Sequence, residues 1–119
     1  MPSTRSDTTL SALRDIARHI DLALGFVTNL DEEAFEDDLR TVYAVIRCLE
    51  IISEASRRLP DEMKARHPSI AWREMAAAGN VYRHDYEDVA SPQVWVTVKT
   101  HLPMLRTVIA QELAGRGGD

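Results

Sequence analysis

Cysteine is almost missing from this chain of 119 residues: Cys48 stands alone. No internal disulfide and no cysteine-based zinc site can therefore be built. Glycine and proline number five each, too few for a collagen-like fibre or a low-complexity disordered chain. No uninterrupted apolar run approaches the ~20 residues of a membrane-spanning helix. The opening segment MPSTRSDTTL has no signal-peptide core, so a soluble, cytoplasmic protein is expected. Positive charge is not in excess either. Fourteen Lys and Arg face 19 Asp and Glu, a net of -5, which excludes a non-specific coat for duplex DNA. A local RNA-acting cluster remains compatible with that sum. What the chain does have is 45% hydrophobic residues, enough for an ordinary core without staples. One domain over residues 1–119 is expected, with its core at about residues 8–113 and a frayed tail, AGRGGD, at 114–119.

The apolar pattern is helical throughout. Leu10, Leu13, Ala17, Ile20, Leu24 and Val27 recur at spacings of three and four, the stripe of an amphipathic helix. Asp7, Thr8 and Thr9 offer caps for its start, and Val27 to Leu30 reads as its exit. The run DEEAFEDD, Asp31 to Asp38, holds six acids in eight residues. Asp31 suits an N-cap, and Glu32 and Glu33 suit the positive end of a helix dipole; docking of a basic partner is the other use of such a run. From there one long helix is expected, ending at Pro60. Phe35, Leu39, Val42, Ile46 and Leu49 form one stripe, and Val45, Cys48, Ile52, Ala55 and Leu59 a second beside it. Two apolar faces imply more than one neighbour, a second subunit among the candidates. Cys48 in this setting reads as a small buried hydrophobe. Asp61 to Arg66 makes a short helical turn, broken by His67-Pro68, and Ile70 and Trp72 anchor the restart. Trp72 to about Arg83 is the third long helix, weakened at Gly79. Ser91-Pro92 opens the fourth, whose stripe is Trp95, Val98, Leu102, Leu105 and Ile109, with a kink expected at Pro103. The fold class is all-α, an antiparallel bundle of four main helices plus a short connecting turn.

Chemistry is sparse in the motifs. The four histidines, His19, His67, His84 and His101, make no His-x-x-x-His or Glu-x-x-His pair, so no metal site and no cofactor is expected. His19 and His101 lie beside apolar stripes and read as surface or boundary residues, and His67 as a loop residue. His84 has different company: GNVYRHDY, Gly79 to Tyr86, surrounds it with Asn80, Arg83, Asp85 and Tyr86. Asn80 and His84 share a helix face if the helix reaches that far. Histidine can move a proton near neutral pH, and Arg and Asn can hold a phosphate or a phosphorane-like transition state. The plainer reading of the same cluster is a polar capping network at a helix end.

The order of segments resembles the HEPN superfamily, and within it the HepT-like branch of small bacterial toxins. The residues that carry the resemblance are RCLEIISEASRRLP (Arg47 to Pro60), PSIAWREM (Pro68 to Met75), GNVYRHDYEDV (Gly79 to Val89), Val94-Trp95 and LPML (Leu102 to Leu105). It covers about residues 8–110. The resemblance implies a helical bundle that forms a homodimer and cleaves RNA without a metal at a cleft between subunits. It also implies a nucleotidyltransferase antitoxin as partner, which in some members modifies the tyrosine of the His-x-Tyr element. The family motif is Arg, four residues, His, one residue, Tyr. His84 and Tyr86 match it, as does Asn80, which commonly follows the arginine; the arginine position itself is Gly79.

Two functions follow from that reading, with a structural helical dimer as a third. In the first, the protein is an endoribonuclease: His84 is general base and acid, Arg83 and Asn80 stabilise charge, and Tyr86 orients RNA or is modified. Arg47 and Arg57 are further phosphate- or RNA-binding candidates to replace the missing arginine. In the second, the same cleft binds RNA, a nucleotide or the transferase without cleaving.

Overall fold

The computed structural model describes residues 5–85 and 91–116, and every element within them is helical. Helix α1, Arg5–Phe26, runs 22 residues. It starts before the expected caps, so Asp7, Thr8 and Thr9 lie inside its first turns, where the Asp7 charge still suits the positive helix end. Its inner stripe is broader than expected, because Ala12, Ile16 and Ala23 are buried together with Leu13, Ala17, Ile20 and Val27.

The expected long second helix is two helices, α2 (Glu32–Asp37) and α3 (Leu39–Ser56). Asp31 caps the first as expected, its carboxylate accepting from the Ala34 N–H at 2.8 Å. The break comes at Asp38, whose backbone leaves the helical region at φ -104°, ψ 86°. Its carboxylate then accepts from the Thr41 N–H (3.3 Å) and hydroxyl (2.7 Å), so a residue that reads as mere acidic surface caps a new helix. Those hydrogen bonds hold the Asp38 carboxyl below its ordinary range. The bend takes Leu39 out of the stripe assigned to it, leaving it 62% exposed. The rest of both stripes is buried, from Val42, Ile46 and Leu49 to Val45, Cys48, Ile52, Ala55 and Leu59. The neighbours that cover them are helices of the same chain: α3 packs against α1, α2 and the later helices Trp72–Asp85 and Ser91–Val96. The double face therefore needs no second subunit. Cys48 is buried, and burial pushes its thiol up, which fits an inert hydrophobe.

Helix α4, Asp61–Ala65, is the expected short turn, and α5 spans Trp72–Asp85. The fourth rod is a composite of α6 (Ser91–Val96), a π-helical turn (Thr97–His101) and α7 (Leu102–Gly115). The disturbance expected around Pro103 includes this widened turn just ahead of it. The Leu102 N–H reaches back five residues to the Thr97 carbonyl, and Pro103 falls in the first turn of α7, where a missing N–H costs nothing. Arg106 on α7 forks onto Asp21 of α1 at 2.9 and 3.2 Å.

Phe35 is the residue by which α2 joins the core. It is fully buried, and its ring centroid lies 5.3 Å from that of Trp95 on α6, tilted by 40°. Lys99 sits 5.3 Å above the Trp95 ring, a cation–π contact. Phe35→Ala is expected to cost about 3–5 kcal/mol of unfolding free energy in urea titrations, and Phe35→Leu clearly less. The near-ultraviolet circular dichroism of Trp95 should change in both.

Candidate functional site

Asn80, Arg83 and His84 ride on α5, so the site begins with what fixes that helix. At its start the Trp72 indole N–H donates to the carbonyls of Lys64 and His67 at 3.1 and 3.0 Å, and Ile70 is buried just before it. Ile70 and Trp72 thus serve as the anchors expected of them. One turn on, the Ala76 carbonyl receives the Ser53 hydroxyl (3.0 Å) and the Arg57 Nε and Nη2 (3.2 and 2.7 Å). These donors sit at the end of α3 and the acceptor lies early in α5, so α5 turns back along α3 from the α4 connection.

A buried carboxylate holds that connection from the other side. Glu112 of α7 is 7% exposed. It accepts from Arg66 Nη2 at 2.8 Å and Nε at 3.3 Å, from His67 Nε2 at 2.7 Å, and from Arg116 Nη1 at 3.0 Å. Burial alone would raise its pKa. The hydrogen bonds and charges of Arg66 and His67 outweigh that and hold the carboxyl down at about 2. His67 lies in the loop between α4 and α5 as expected, but the sequence did not reveal its contact with Glu112, which leaves its side chain only 13% exposed. The available signal was Glu112 itself, an acid three residues after Ile109 on the buried stripe of the last helix. His19 and His101 are where they were expected, at the boundary and the surface. The Nδ1 of His19 donates to the Asp15 carbonyl at 2.7 Å, and His101 is exposed on the π-helical turn.

Beyond Ala76 the helix continues through Gly79 without interruption to Asp85. Asn80, Arg83 and His84 therefore lie within about one helical turn, and Asn80 and His84 share a face. For residues 79–85 the structure describes the backbone course alone, and Tyr86 lies outside the described residues altogether. An apolar cleft of about 380 Å³ leads up to this end, between α3, α5 and the π–α7 arm. Leu49, Ile52, Met75, Ala78, Leu102 and Leu105 are among its walls. Its α5 wall thus reaches Ala78, the neighbour of Gly79.

The two spare arginines are not brought together. The Arg57 guanidinium is committed to the Ala76 carbonyl, and His84 is eight residues, roughly 12 Å, farther along α5. Arg47 is 71% exposed, with a 3.4 Å ion pair to Glu50. It lies six residues before Ser53, hence about 9 Å back along α3 and nearer the level of the motif. Among the described residues no three His, Cys, Asp or Glu side chains gather as a metal ligand set, and no helix is long and apolar enough to cross a membrane.

Comparison with known proteins decides the family. The HepT-like family, described as ribonuclease HepT-like, matches residues 16–112. The chain belongs to the HepT-like family. A protein of Thermococcus cleftensis named "Probable ribonuclease HepT" is 44% identical over 94 residues, covering 79% of this chain and 86% of its own length. A Methanocaldococcus jannaschii protein named as a candidate RNase is 33% identical over 94 residues, 79% of this chain and 78% of that one. A third, from Caldanaerobacter subterraneus subsp. tengcongensis and also named as a candidate RNase, is 29% identical over 101 residues, 85% and 90% of the two chains. No solved structure matches. The all-α bundle expected from the sequence is the one observed for this HepT-like chain, with two of its four rods broken.

The Glu112 cluster makes the HepT-like fold acid-sensitive in a defined window. Because its folded pKa lies below the ordinary 4.5, its contribution is complete above about pH 4.5 and is lost as pH falls toward 2. Glu112→Gln should lower stability by about 1.5–3 kcal/mol at neutral pH. Urea titrations from pH 7 to 2 should show the two proteins converging across that window.

Proposed function

We propose that this HepT-like protein is a metal-independent endoribonuclease, the toxin of a toxin–antitoxin pair, acting as a cytoplasmic homodimer with its cleft between subunits. Family membership supports the RNA substrate. The observation that carries the catalytic assignment is the unbroken course of α5 to Asp85, which sets Asn80 and His84 one turn apart on one face. His84 takes the proton from an RNA 2′-hydroxyl. The 2′-oxygen attacks the adjacent phosphorus, so that an O2′–P bond forms while the P–O5′ bond breaks. The leaving 5′-oxygen takes up a proton, leaving a 2′,3′-cyclic phosphate and a 5′-hydroxyl. Arg83 and Asn80 stabilise the charge on the phosphoryl oxygens, and Tyr86 orients RNA or receives a nucleotidyl group from the transferase antitoxin.

Gly79 favours a second reading. A donor preorganised for the transition state is worth on the order of 100–1000-fold in rate, and glycine supplies none. With Arg57 held on a carbonyl, Arg83 and the exposed Arg47 are the arginines that fit the role. If neither fills it, the protein is an impaired module that binds RNA, a nucleotide or the transferase.

Purified wild type and His84→Ala, incubated with bulk tRNA in EDTA, separate the two. Cleavage to cyclic-phosphate ends by wild type, slowed roughly 100- to 10,000-fold by His84→Ala, is the expected result. Intact RNA under conditions where a family member with the full motif cleaves it would sink the enzyme reading. Retained RNA or transferase binding would then mark the binding module.

A further inference from the structure

Arg57 and Arg58 close α3 side by side, and their guanidinium groups hold different neighbours. Arg58 Nη2 donates to the Asp15 carboxylate of α1 at 3.1 Å. Arg57, at the C-cap of α3, reaches across to α5 and donates to the Ala76 carbonyl from Nε at 3.2 Å and from Nη2 at 2.7 Å. The Ser53 hydroxyl, four residues back and so on the same side of α3, donates to that oxygen at 3.0 Å. A carbonyl inside a helix ordinarily serves the N–H four residues ahead. For Ala76 that residue is Asn80. Side-chain donors from α3 therefore converge on the peptide group at which the turn carrying Asn80 begins. A charged donor makes the stronger kind of hydrogen bond, and a two-pronged guanidinium fixes direction as well as distance. The fixing matters because α5 packs chiefly on α3 and Gly79 weakens its next turn.

We propose that Arg57 is a positioning residue for the α5 site, setting the rotation and height of α5 against α3 so that Asn80 and His84 meet the scissile phosphate in register. Arg57 itself touches neither the substrate nor the reacting atoms. This role rests on the ribonuclease reading above and differs from the phosphate contact expected of Arg57 from the sequence. A misplacement of about 1 Å can slow a reaction on the order of 100-fold. The effect of losing Arg57 therefore falls on turnover, and not on affinity for RNA.

The test compares the full-chain wild type with Arg57→Met, which keeps the apolar stem and removes the donors, and with Arg57→Lys, whose ammonium can still donate to the carbonyl. On bulk tRNA in EDTA, Arg57→Met is expected to lower kcat roughly 10- to 100-fold and to leave KM within about 2-fold, the pattern of a contribution made only in the transition state. Arg57→Lys should recover most of the loss. In amide hydrogen exchange, the N–H groups of residues 80–85 should exchange about 10-fold faster in Arg57→Met, while those of α1 and α7 stay as in wild type. A raised KM with a flatter salt dependence of RNA binding, by roughly 0.7 in log–log slope per phosphate, would make Arg57 a phosphate ligand and overturn the role. Equal acceleration of exchange in α1 and α7 would reduce Arg57 to a contact of the fold as a whole, and overturns the role too. Unchanged kcat in Arg57→Met beside an active wild type sinks the positioning role and leaves the ribonuclease reading standing. If wild type leaves tRNA uncut, the ribonuclease reading falls and the role of Arg57 falls with it.

Discussion

A helix with apolar residues on two sides has to be covered on both, and α3 imposes that condition on the whole chain. Nine of its residues are buried, from Val42 near one end to Ser56 at the other. Helix α1, on which Leu13, Ile16 and Ile20 are buried, covers part of it, and α5 and α6 pack against the rest. Helix α2 can reach the core only by bending away at Asp38 and driving Phe35 against Trp95. Breaking α2 from α3 is thus a packing requirement with a local cap to make it inexpensive. An unbroken helix would carry Phe35 past the ring it meets, and the acidic first turn would project into solvent without a hold on the core.

The second constraint is on α5, which is shorter, less apolar and packed chiefly on α3. Its position depends on polar anchors near its start: the Trp72 indole, the Ala76 carbonyl with its donors from Ser53 and Arg57, and the Glu112 cluster that pins the preceding loop to α7. A buried carboxylate is tolerated only when its hydrogen-bonding capacity is filled, and Arg66, His67 and Arg116 fill it. All of these anchors fall before Gly79. The half of the helix that bears Asn80, Arg83 and His84, the residues proposed for the chemistry, continues beyond them.

These two constraints explain what could be read from the residues alone. The stripes of α1, α3 and α7 are long and periodic, and periodicity is a property that a single sequence displays openly. The Asp31 cap and the Ser91-Pro92 opening were legible because each is a local signal. The Asp38 break was not, since one acid among six looks like surface until Thr41 is seen to donate to it. The π-helical turn was hidden for a related reason: Pro103 announces a disturbance, but only the packing on both sides decides whether the chain bends or widens. The Glu112 cluster joins residues about 45 apart, and no spacing rule connects Arg66 and His67 to a glutamate so far along the chain. The α5 motif was visible as residue types. Its companions on α3 were visible only as separate arginines, because their difference, Arg57 bonded and Arg47 exposed, is a tertiary fact.

That difference bears on how an acidic protein handles RNA at all. A net charge of -5 gives no general attraction to a polyanion, so the ribonuclease activity proposed for this chain would depend on local clusters of cations. Several arginines are spent on the fold: Arg57 on α5, Arg66 and Arg116 on Glu112, Arg106 on α1. Arg40 and Arg47 are the arginines of α3 that the fold leaves exposed, and Tyr43 lies between them. The acidic run adds no cation to that inventory; its shown roles are the caps at Asp31 and Asp38.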